Sequence, residues 1–234
     1  MHPDRRSARP RALTKDYILQ GYLPIFYNAL LNKVDYIIHL DPFSGPGRYE
    51  DASEGSPIHA LEIVRNLEKQ LKKNKKNFRE RVIFIFCENN KNFYKELSEA
   101  VKPYKKEGFK IECLNENAQD VIREIPNIVK EVYKSTKIGI FTYLDPWGLK
   151  DVAIEPVIEV LKLRFEFNIP CEILLRFPPY LVCRFYHNQN LGPDWIKKNL
   201  GLDEAELKEI VTKEEKEKDE RWEKILKHYV SRIR

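Results

Sequence analysis

An apolar run that ends in an acid and opens at once into a glycine turn constrains this chain more than any other feature. Residues 34–49 read VDYIIHLDPFSGPGRY, where the run Val34–Leu40 is followed by Asp41 and then by the turn Ser44–Gly47. Glycine lets the backbone turn sharply and lets a ligand approach it closely. A buried strand followed by such a turn is typical of the ligand-binding loops of open α/β sheets.

Apolar runs alternate with helical patterns along the chain. Strands are predicted at five places: Val34–Leu40, Val82–Cys87, Lys110–Leu114, Ile138–Leu144 and Cys171–Phe177. Helices are predicted around them: Tyr17–Leu31, a helix from about Pro57 with Ser56 as its N-cap, Asn92–Lys102, Ala118–Tyr133 and Ile154–Arg164. Strands that alternate with helices form parallel sheets with right-handed crossovers. We therefore expect an α/β chain with a Rossmann-like fold, a mostly parallel central sheet and helices on both faces.

Length and composition limit the class of protein. With 234 residues, a single domain is expected, with its core over about residues 14–185. A charged helical extension is expected over 195–234, and the chain could be a fragment of a longer protein. No apolar stretch is long enough to span a membrane, and the basic N-terminus lacks the apolar run of a signal peptide, so a cytoplasmic protein is expected. The four cysteines are widely spaced and form no CxxC pair, so neither a metal site nor a disulfide framework is indicated.

Polar side chains stand at or just beyond the ends of four predicted strands. They are Asp41, Glu88, Asn117 and Asp145. The carboxyl ends of parallel strands meet at one edge of the sheet, and ligands bind there near the switch point of strand order. We therefore expect these side chains to belong to one ligand site.

The glycine loop indicates which ligand this is. It reads D-x-F-x-G-x-G, with Phe43 where a dinucleotide-binding GxGxxG has its first glycine, and no GK[ST] follows. The loop resembles motif I of class I S-adenosylmethionine methyltransferases, in which the glycines pass under the methionine part of the cofactor. The resemblance implies S-adenosyl-L-methionine as the cofactor, bound by Asp41, Phe43, Ser44, Gly45, Pro46 and Gly47.

Two further positions would complete the cofactor site. A carboxylate such as Glu88 can accept hydrogen bonds from two adjacent ribose hydroxyls, although an acid at a helix start is also favoured by the helix dipole. Asn117 and Ala118 stand where methyltransferases of this class hold the adenine. Three nearby polar residues compete with Asn117 for that role: Asn115, Glu116 and Asp120.

The candidate chemistry follows the fourth strand, at Asp145-Pro146-Trp147-Gly148. Amino-group methyltransferases carry [D/N/S]-P-P-[F/Y/W] at this place. In them the acid or amide side chain and a proline carbonyl accept hydrogen bonds from the target amine, and the aromatic ring stacks on a flipped base. The likeness implies catalytic roles for Asp145, Pro146 and Trp147. A strand-terminal cap at Asp145 and a packing role for Trp147 are the alternatives.

A second proline pair follows the fifth strand. Phe177-Pro178-Pro179-Tyr180 has no acceptor acid before it, so it is interpreted as a rigid turn in the pocket wall. Arg176 and Arg184 flank this turn and could meet an anion. Cytosine-C5 methylation would need a cysteine nucleophile after the fourth strand, and none stands there.

The net charge of +5 is unevenly distributed. The segments Arg5–Lys15 and Lys69–Arg81 are strongly basic, which favours an anionic partner such as nucleic acid. A lysine-rich, solvated helix surface is the alternative for Lys69–Arg81.

Over residues 14–185 the chain resembles the three-Cys-motif partner (TcmP) family. The shared motifs are the loop DPFSGPGRYE, the following Gly55-Ser56-Pro57, the leading helix Lys15–Leu23 and the D-P-W-G of residues 145–148. The family implies a Rossmann-like methyltransferase fold and a partner protein of the radical-SAM type that bears three cysteines. Its activity is poorly defined, so the resemblance indicates the fold more than the reaction.

Three functional hypotheses remain. The first is an S-adenosylmethionine-dependent methyltransferase that acts on an exocyclic amine, in a nucleic-acid base or a similar group. The second is a non-catalytic, methyltransferase-like binding module for the three-Cys protein, which the altered spacing at Asp145–Gly148 favours. The third is a nucleotide-dependent oxidoreductase, against which Phe43 argues.

Overall fold

Five parallel strands form the centre of the molecule. The computed structural model describes residues 10–51, 53–71, 77–132, 136–146, 154–176, 202, 203, 205, 206, 208, 223–225 and 227. The strands are β1 Tyr36–Asp41, β2 Val82–Cys87, β3 Lys110–Leu114, β4 Ile138–Leu144 and β5 Cys171–Leu175. They pair in the order β3-β2-β1-β4-β5, and every pair is parallel.

Three of the strands lie at the predicted residues, and the other two differ at their ends. β1 begins at Tyr36 because Asp35 turns the chain before it: the Asp35 carboxylate accepts a hydrogen bond of 2.9 Å from the Lys137 N–H. β5 ends at Leu175, and the N–H of Arg176 then donates to the Leu144 carbonyl at 2.8 Å.

The helices alternate with the strands as predicted, with shifted boundaries. They are α1 Pro10–Leu30, α2 Ser56–Gln70, α3 Lys91–Lys106, α4 Ala118–Val132 and α5 Ile154–Glu166, and a short 3-10 turn covers Phe78–Arg81. The prediction that Ser56 is the N-cap of α2 is wrong, because Gly55 occupies that position with extended backbone angles. Most of the predicted helical extension over 195–234 lies outside the described residues.

Two apolar clusters cover the two faces of the sheet. One packs α1, α2 and α3 on a layer of aromatic strand residues that includes Phe84, Phe86 and Phe141. The other packs α4 and α5 on residues such as Ile38 and Leu40. All seven residues of β4 are buried, as expected for a parallel strand covered on both faces. The predicted α/β architecture, Rossmann-like with helices on both faces, is confirmed.

The strand order places the candidate site. The direction of winding reverses between β1 and β4, so the crevice outside their carboxyl ends is the expected ligand position. Asp41 and Asp145 stand at these two ends. The described parts of the basic segment Lys69–Arg81, residues 69–71 and 77–81, stand at the end of α2 and just before β2, at the opposite, amino edge of the sheet.

Candidate functional site

Asp41 holds the glycine loop together from inside. Its side chain is fully buried, with Oδ1 accepting a hydrogen bond from the Phe43 N–H at 3.2 Å and Oδ2 accepting one from the Ser56 hydroxyl at 2.6 Å. The Ser44 hydroxyl is also buried and donates to the Asp41 carbonyl at 2.7 Å. These side chains therefore shape the loop, and their direct contact with a cofactor stays a prediction.

The two glycines of the loop have different surroundings. Both have left-handed backbone angles, φ +63° at Gly45 and φ +77° at Gly47, which favour glycine. A Cβ at Gly47 would lie 3.2 Å from Leu97 Cδ1 and 3.3 Å from the Ala100 Cβ, so this glycine packs against α3. A Cβ at Gly45 would have nothing within 4 Å. Gly45, beside the half-buried Pro46, thus borders open space that a ligand could enter.

Glu88 follows β2 and is buried next to the glycine loop. Its Oε1 accepts a hydrogen bond from the Asn90 N–H at 2.7 Å, and the backbone N–H groups of Gly45 and Asn89 also bond to its carboxylate. Burial raises the pKa of Glu88, and these backbone hydrogen bonds act in the opposite direction. The carboxylate therefore ties the loop after β1 to the loop after β2.

A pocket of about 70 Å³ lies at the carboxyl ends of the first three strands. Its lining includes four of the residues predicted to bind the cofactor, namely Phe43, Glu88, Asn117 and Ala118, together with Pro42, Asn89 and Gln119. The structure thus brings together residues that follow β1, β2 and β3. We call this set the strand-end pocket.

The competing polar residues after β3 have local roles. Asn117 Oδ1 accepts the Gln119 N–H at 2.9 Å and caps α4, while the Asn115 amide donates to the carbonyls of Glu88 at 2.8 Å and Asn89 at 3.1 Å. Asn115 therefore holds the backbone under the strand-end pocket and does not line it. Nothing in the sequence distinguishes Asn115 from Asn117 in this respect.

The lining of the strand-end pocket fits the adenosyl end of S-adenosylmethionine. A carboxylate suits the two ribose hydroxyls, and Phe43 with the buried Ala118 offers apolar surface for a ring. Ligand pockets usually measure a few hundred Å³. The 70 Å³ enclosed by the described residues would therefore hold only part of the cofactor.

Asp145 is ion-paired, which the sequence pattern does not predict. Arg176 Nη1 lies 3.2 Å from Asp145 Oδ1, and Pro146 beside it is buried. Arg176 directly follows β5, and the pairing of β5 with β4 that makes the two side chains neighbours is seen only in the structure. Trp147, Gly148 and the turn Phe177–Tyr180 lie outside the described residues.

The arginines of the segment Lys69–Arg81 have partners within the protein. Arg79 is ion-paired with Glu68 and Glu107, and Arg81 donates to the carbonyls of Val34 and Asp35. Residues 72–76 and 1–9 lie outside the described residues. Phosphate binding by either basic segment stays a prediction.

The described residues contain neither a candidate metal site nor a candidate membrane span. They include no cluster of His, Cys, Asp or Glu that could hold a metal ion, and Cys87, Cys113 and Cys171 are free thiols. No helix among them is long and apolar enough to cross a bilayer.

Comparison with known proteins does not assign the chain to a family. No protein-family model and no curated protein matches the chain. A crystal structure of a Legionella pneumophila protein, LPL1258 of the family model DUF519, is similar with 16% sequence identity and a TM-score of 0.37. The match covers 76% of this chain and spans about 65% of the length of that protein. A likeness at this level carries no inference about function.

Proposed function

We propose that this chain is an S-adenosylmethionine-dependent methyltransferase that acts on an exocyclic amine of a nucleic-acid base. The observation that carries the proposal is the strand-end pocket, which gathers Phe43, Glu88, Asn117 and Ala118 beside the switch point of a parallel sheet. Neither the glycine loop nor Glu88 alone would support it.

Each part of the site has a role in holding the cofactor. Glu88 accepts hydrogen bonds from the ribose hydroxyls, while Phe43 and Ala118 contact the adenine. Gly45 lets the rest of the cofactor approach the backbone, because a Cβ at this position would have no neighbouring side chain or backbone within 4 Å. When bound, S-adenosylmethionine supplies an electrophilic methyl group attached to a sulfonium.

Asp145 is proposed to orient the amine. Its carboxylate accepts a hydrogen bond from the amine N–H and directs the nitrogen lone pair toward the cofactor side of the sheet. The Pro146 carbonyl is the second acceptor, and the stacking role of Trp147, which lies outside the described residues, stays an expectation from the motif. Arg176, 3.2 Å away, holds the carboxylate in place while leaving it a hydrogen-bond acceptor.

Isothermal calorimetry with S-adenosylhomocysteine tests the cofactor proposal. We expect the wild-type protein to bind and Glu88→Gln to bind about tenfold or more weakly, since hydrogen bonds to a charged group are lost. Glu112→Gln removes the same charge from an exposed position on β3 and should leave the affinity unchanged. Absence of binding to folded wild-type protein at millimolar ligand would exclude the proposal, and binding of a nicotinamide dinucleotide instead would favour an oxidoreductase.

One observation favours the non-catalytic alternative. An oxygen of Asp145 is already engaged by Arg176, and the motif after it carries one proline where methyltransferases carry two. In that case the protein would bind the three-Cys partner without transferring a methyl group. Co-purification with that partner, with binding unchanged in Asp145→Ala and no methyl transfer by the wild type, would support the alternative.

A further inference from the structure

We propose that Arg176 binds a phosphate group of the nucleic-acid substrate, on the side of Asp145 that faces away from the cofactor. The inference rests on the proposed function and identifies a substrate-binding residue for it. Arg176 follows β5, a strand that contributes nothing to the strand-end pocket.

The sheet order separates the site into three parts. The strand-end pocket lies over β1, β2 and β3, Asp145 follows β4, and Arg176 follows β5. Leu144 pairs with Leu175, so Arg176 stands directly beside Asp145 at the same edge. Neighbouring strands are about 4.8 Å apart. A base whose amine sits at Asp145 must therefore extend its sugar and phosphate away from the cofactor, and Arg176 lies on that side.

Arg176 is only partly engaged within the protein. Its guanidinium makes a single contact with Asp145, from Nη1 at 3.2 Å, whereas arginine–carboxylate pairs are frequently bidentate. Within the part of the chain that the structure describes, its Nε and Nη2 donors have no partner. The side chain is 33% exposed, so it is not enclosed by the described residues.

The remaining donors suit an oxyanion. A guanidinium presents its N–H groups in a rigid fork that matches the oxygens of phosphate, and it stays charged at every physiological pH. The Asp145 contact and the backbone hydrogen bond from the Arg176 N–H to the Leu144 carbonyl, at 2.8 Å, hold this fork in place before the substrate arrives. The loss of freedom on binding is correspondingly small.

The test is fluorescence anisotropy with short labelled single-stranded oligonucleotides of mixed sequence, in the presence of S-adenosylhomocysteine and over a series of salt concentrations. We expect Arg176→Gln to weaken binding about tenfold or more and to lower the slope of log K against log salt by about one. Arg164→Gln makes the same charge change near the amino end of β5 and should change neither quantity. Arg176→Lys should retain the salt slope and recover part of the affinity.

Asp145→Asn separates phosphate binding from a purely positioning role. If Arg176 contacts phosphate, this variant weakens binding less than Arg176→Gln does and keeps the wild-type salt slope, because the asparagine oxygen still accepts a hydrogen bond from Nη1 and the guanidinium keeps its charge. If Arg176 only holds Asp145 in place, Asp145→Asn weakens binding as much as Arg176→Gln, and the inference is wrong.

Three other outcomes decide the matter. Equal effects of Arg176→Gln and Arg164→Gln, or no oligonucleotide binding by the wild type, would overturn the inference. Wild-type binding of a nucleoside as tight as that of its monophosphate would also overturn it. The cofactor proposal is tested separately, because Arg176→Gln should bind S-adenosylhomocysteine as the wild type does.

Discussion

Ser56 connects the glycine loop to α2 through a single hydroxyl. Its Oγ donates to the fully buried Asp41 carboxylate at 2.6 Å. Replacing Ser56 with alanine removes a donor from a buried charge, so we expect the free energy of unfolding to fall by about 1–3 kcal/mol. Ser56→Thr, which keeps the hydroxyl, should lose less. Urea unfolding of both variants checks this, and an unchanged midpoint in Ser56→Ala would contradict it.

His39 makes the stability of the protein sensitive to mild acid. It is buried in β1 among the rings of Phe84 and Phe141, and its Nδ1 lies 2.7 Å from the Tyr27 hydroxyl. Burial lowers the pKa of His39 from 6.5 to about 3. Between these two values the unfolded chain binds more protons than the folded one, so stability falls as the pH drops below 6.5. From pH 7 to pH 5 the expected loss from this residue is roughly 2 kcal/mol.

The variant Tyr27→Phe/His39→Leu tests the assignment of that loss to His39. It removes the imidazole together with the hydroxyl that would otherwise be buried without its partner. Urea unfolding at pH 7 and pH 5 should show a smaller pH dependence than in the wild type. The same dependence in both proteins would assign the loss to other groups.

Side-chain direction is the part of the site that residue patterns leave open. That Asp41, Glu88 and Asp145 follow strands could be predicted from where the apolar runs end. That Asp41 faces inward to Ser56, and that Asp145 faces Arg176, could not be, because the backbone turns at a strand end and the alternation of side chains stops there.

At the scale of elements, the contact between the glycine loop and α3 separates the roles of the two glycines. Alanine at either position must adopt a left-handed conformation, which costs about 1–2 kcal/mol. At Gly47 the methyl group would also press on Leu97 and Ala100, so Gly47→Ala should be about 1 kcal/mol more destabilising than Gly45→Ala. At Gly45 the methyl group would enter the open space beside the strand-end pocket.

Ligand binding should therefore rank these variants in the opposite order. We expect Gly45→Ala to weaken S-adenosylhomocysteine binding more than Gly47→Ala does, measured by calorimetry on folded protein. If Gly47→Ala had the larger effect on both stability and affinity, the open space beside Gly45 would not be part of the cofactor site.

Buried strands were easier to predict than helix ends. β4 is buried throughout and apolar except for Thr142, and its boundaries follow from composition, whereas α1 begins seven positions before the predicted start at Tyr17. Its first residues include Arg11, Lys15 and Asp16, which carry no apolar periodicity. The start of α2 was misplaced because Ser56 is a good helix cap by residue type, and only the position of Asp41 shows that its hydroxyl bonds elsewhere.

At the scale of the whole molecule, the alternation of strands and helices was enough to predict the layering, because parallel strands need crossovers that cover the sheet. It was not enough to predict the strand order, which depends on which apolar faces match. The order β3-β2-β1-β4-β5 decides that Glu88, Asp145 and Arg176 follow each other along one edge. The described parts of the two basic segments are residues 10–15, in α1, and residues 69–71 and 77–81, at the end of α2 and before β2.

Those two segments should contribute unequally to nucleic-acid binding. α1 runs antiparallel to β1, and its Gln20 side chain lies 3.2 Å from His59 in the first turns of α2, close to the glycine loop. At 1.5 Å per residue, the part of α1 before Gln20 extends about 15 Å further toward and beyond the carboxyl edge. The described parts of the other segment, residues 69–71 and 77–81, lie at the amino edge. A substrate held at Asp145 is therefore on the side of α1 and away from Lys69–Arg81.

Replacement of two charges in each segment tests this difference. Arg11→Gln/Lys15→Gln should lower oligonucleotide affinity severalfold and reduce the salt slope by up to about two, since each phosphate contact releases about one counterion. Lys69→Gln/Lys72→Gln removes the same charge from the other basic segment, whose Lys69 is exposed at the amino edge. It should leave both quantities near the wild-type values, because exposed charges more than about 10 Å away are screened at 0.1 M salt. Equal losses in the two variants would mean that binding is diffuse and unrelated to the crevice. A larger loss in Lys69→Gln/Lys72→Gln would place the nucleic acid at the amino edge, where Asp145 could not reach it.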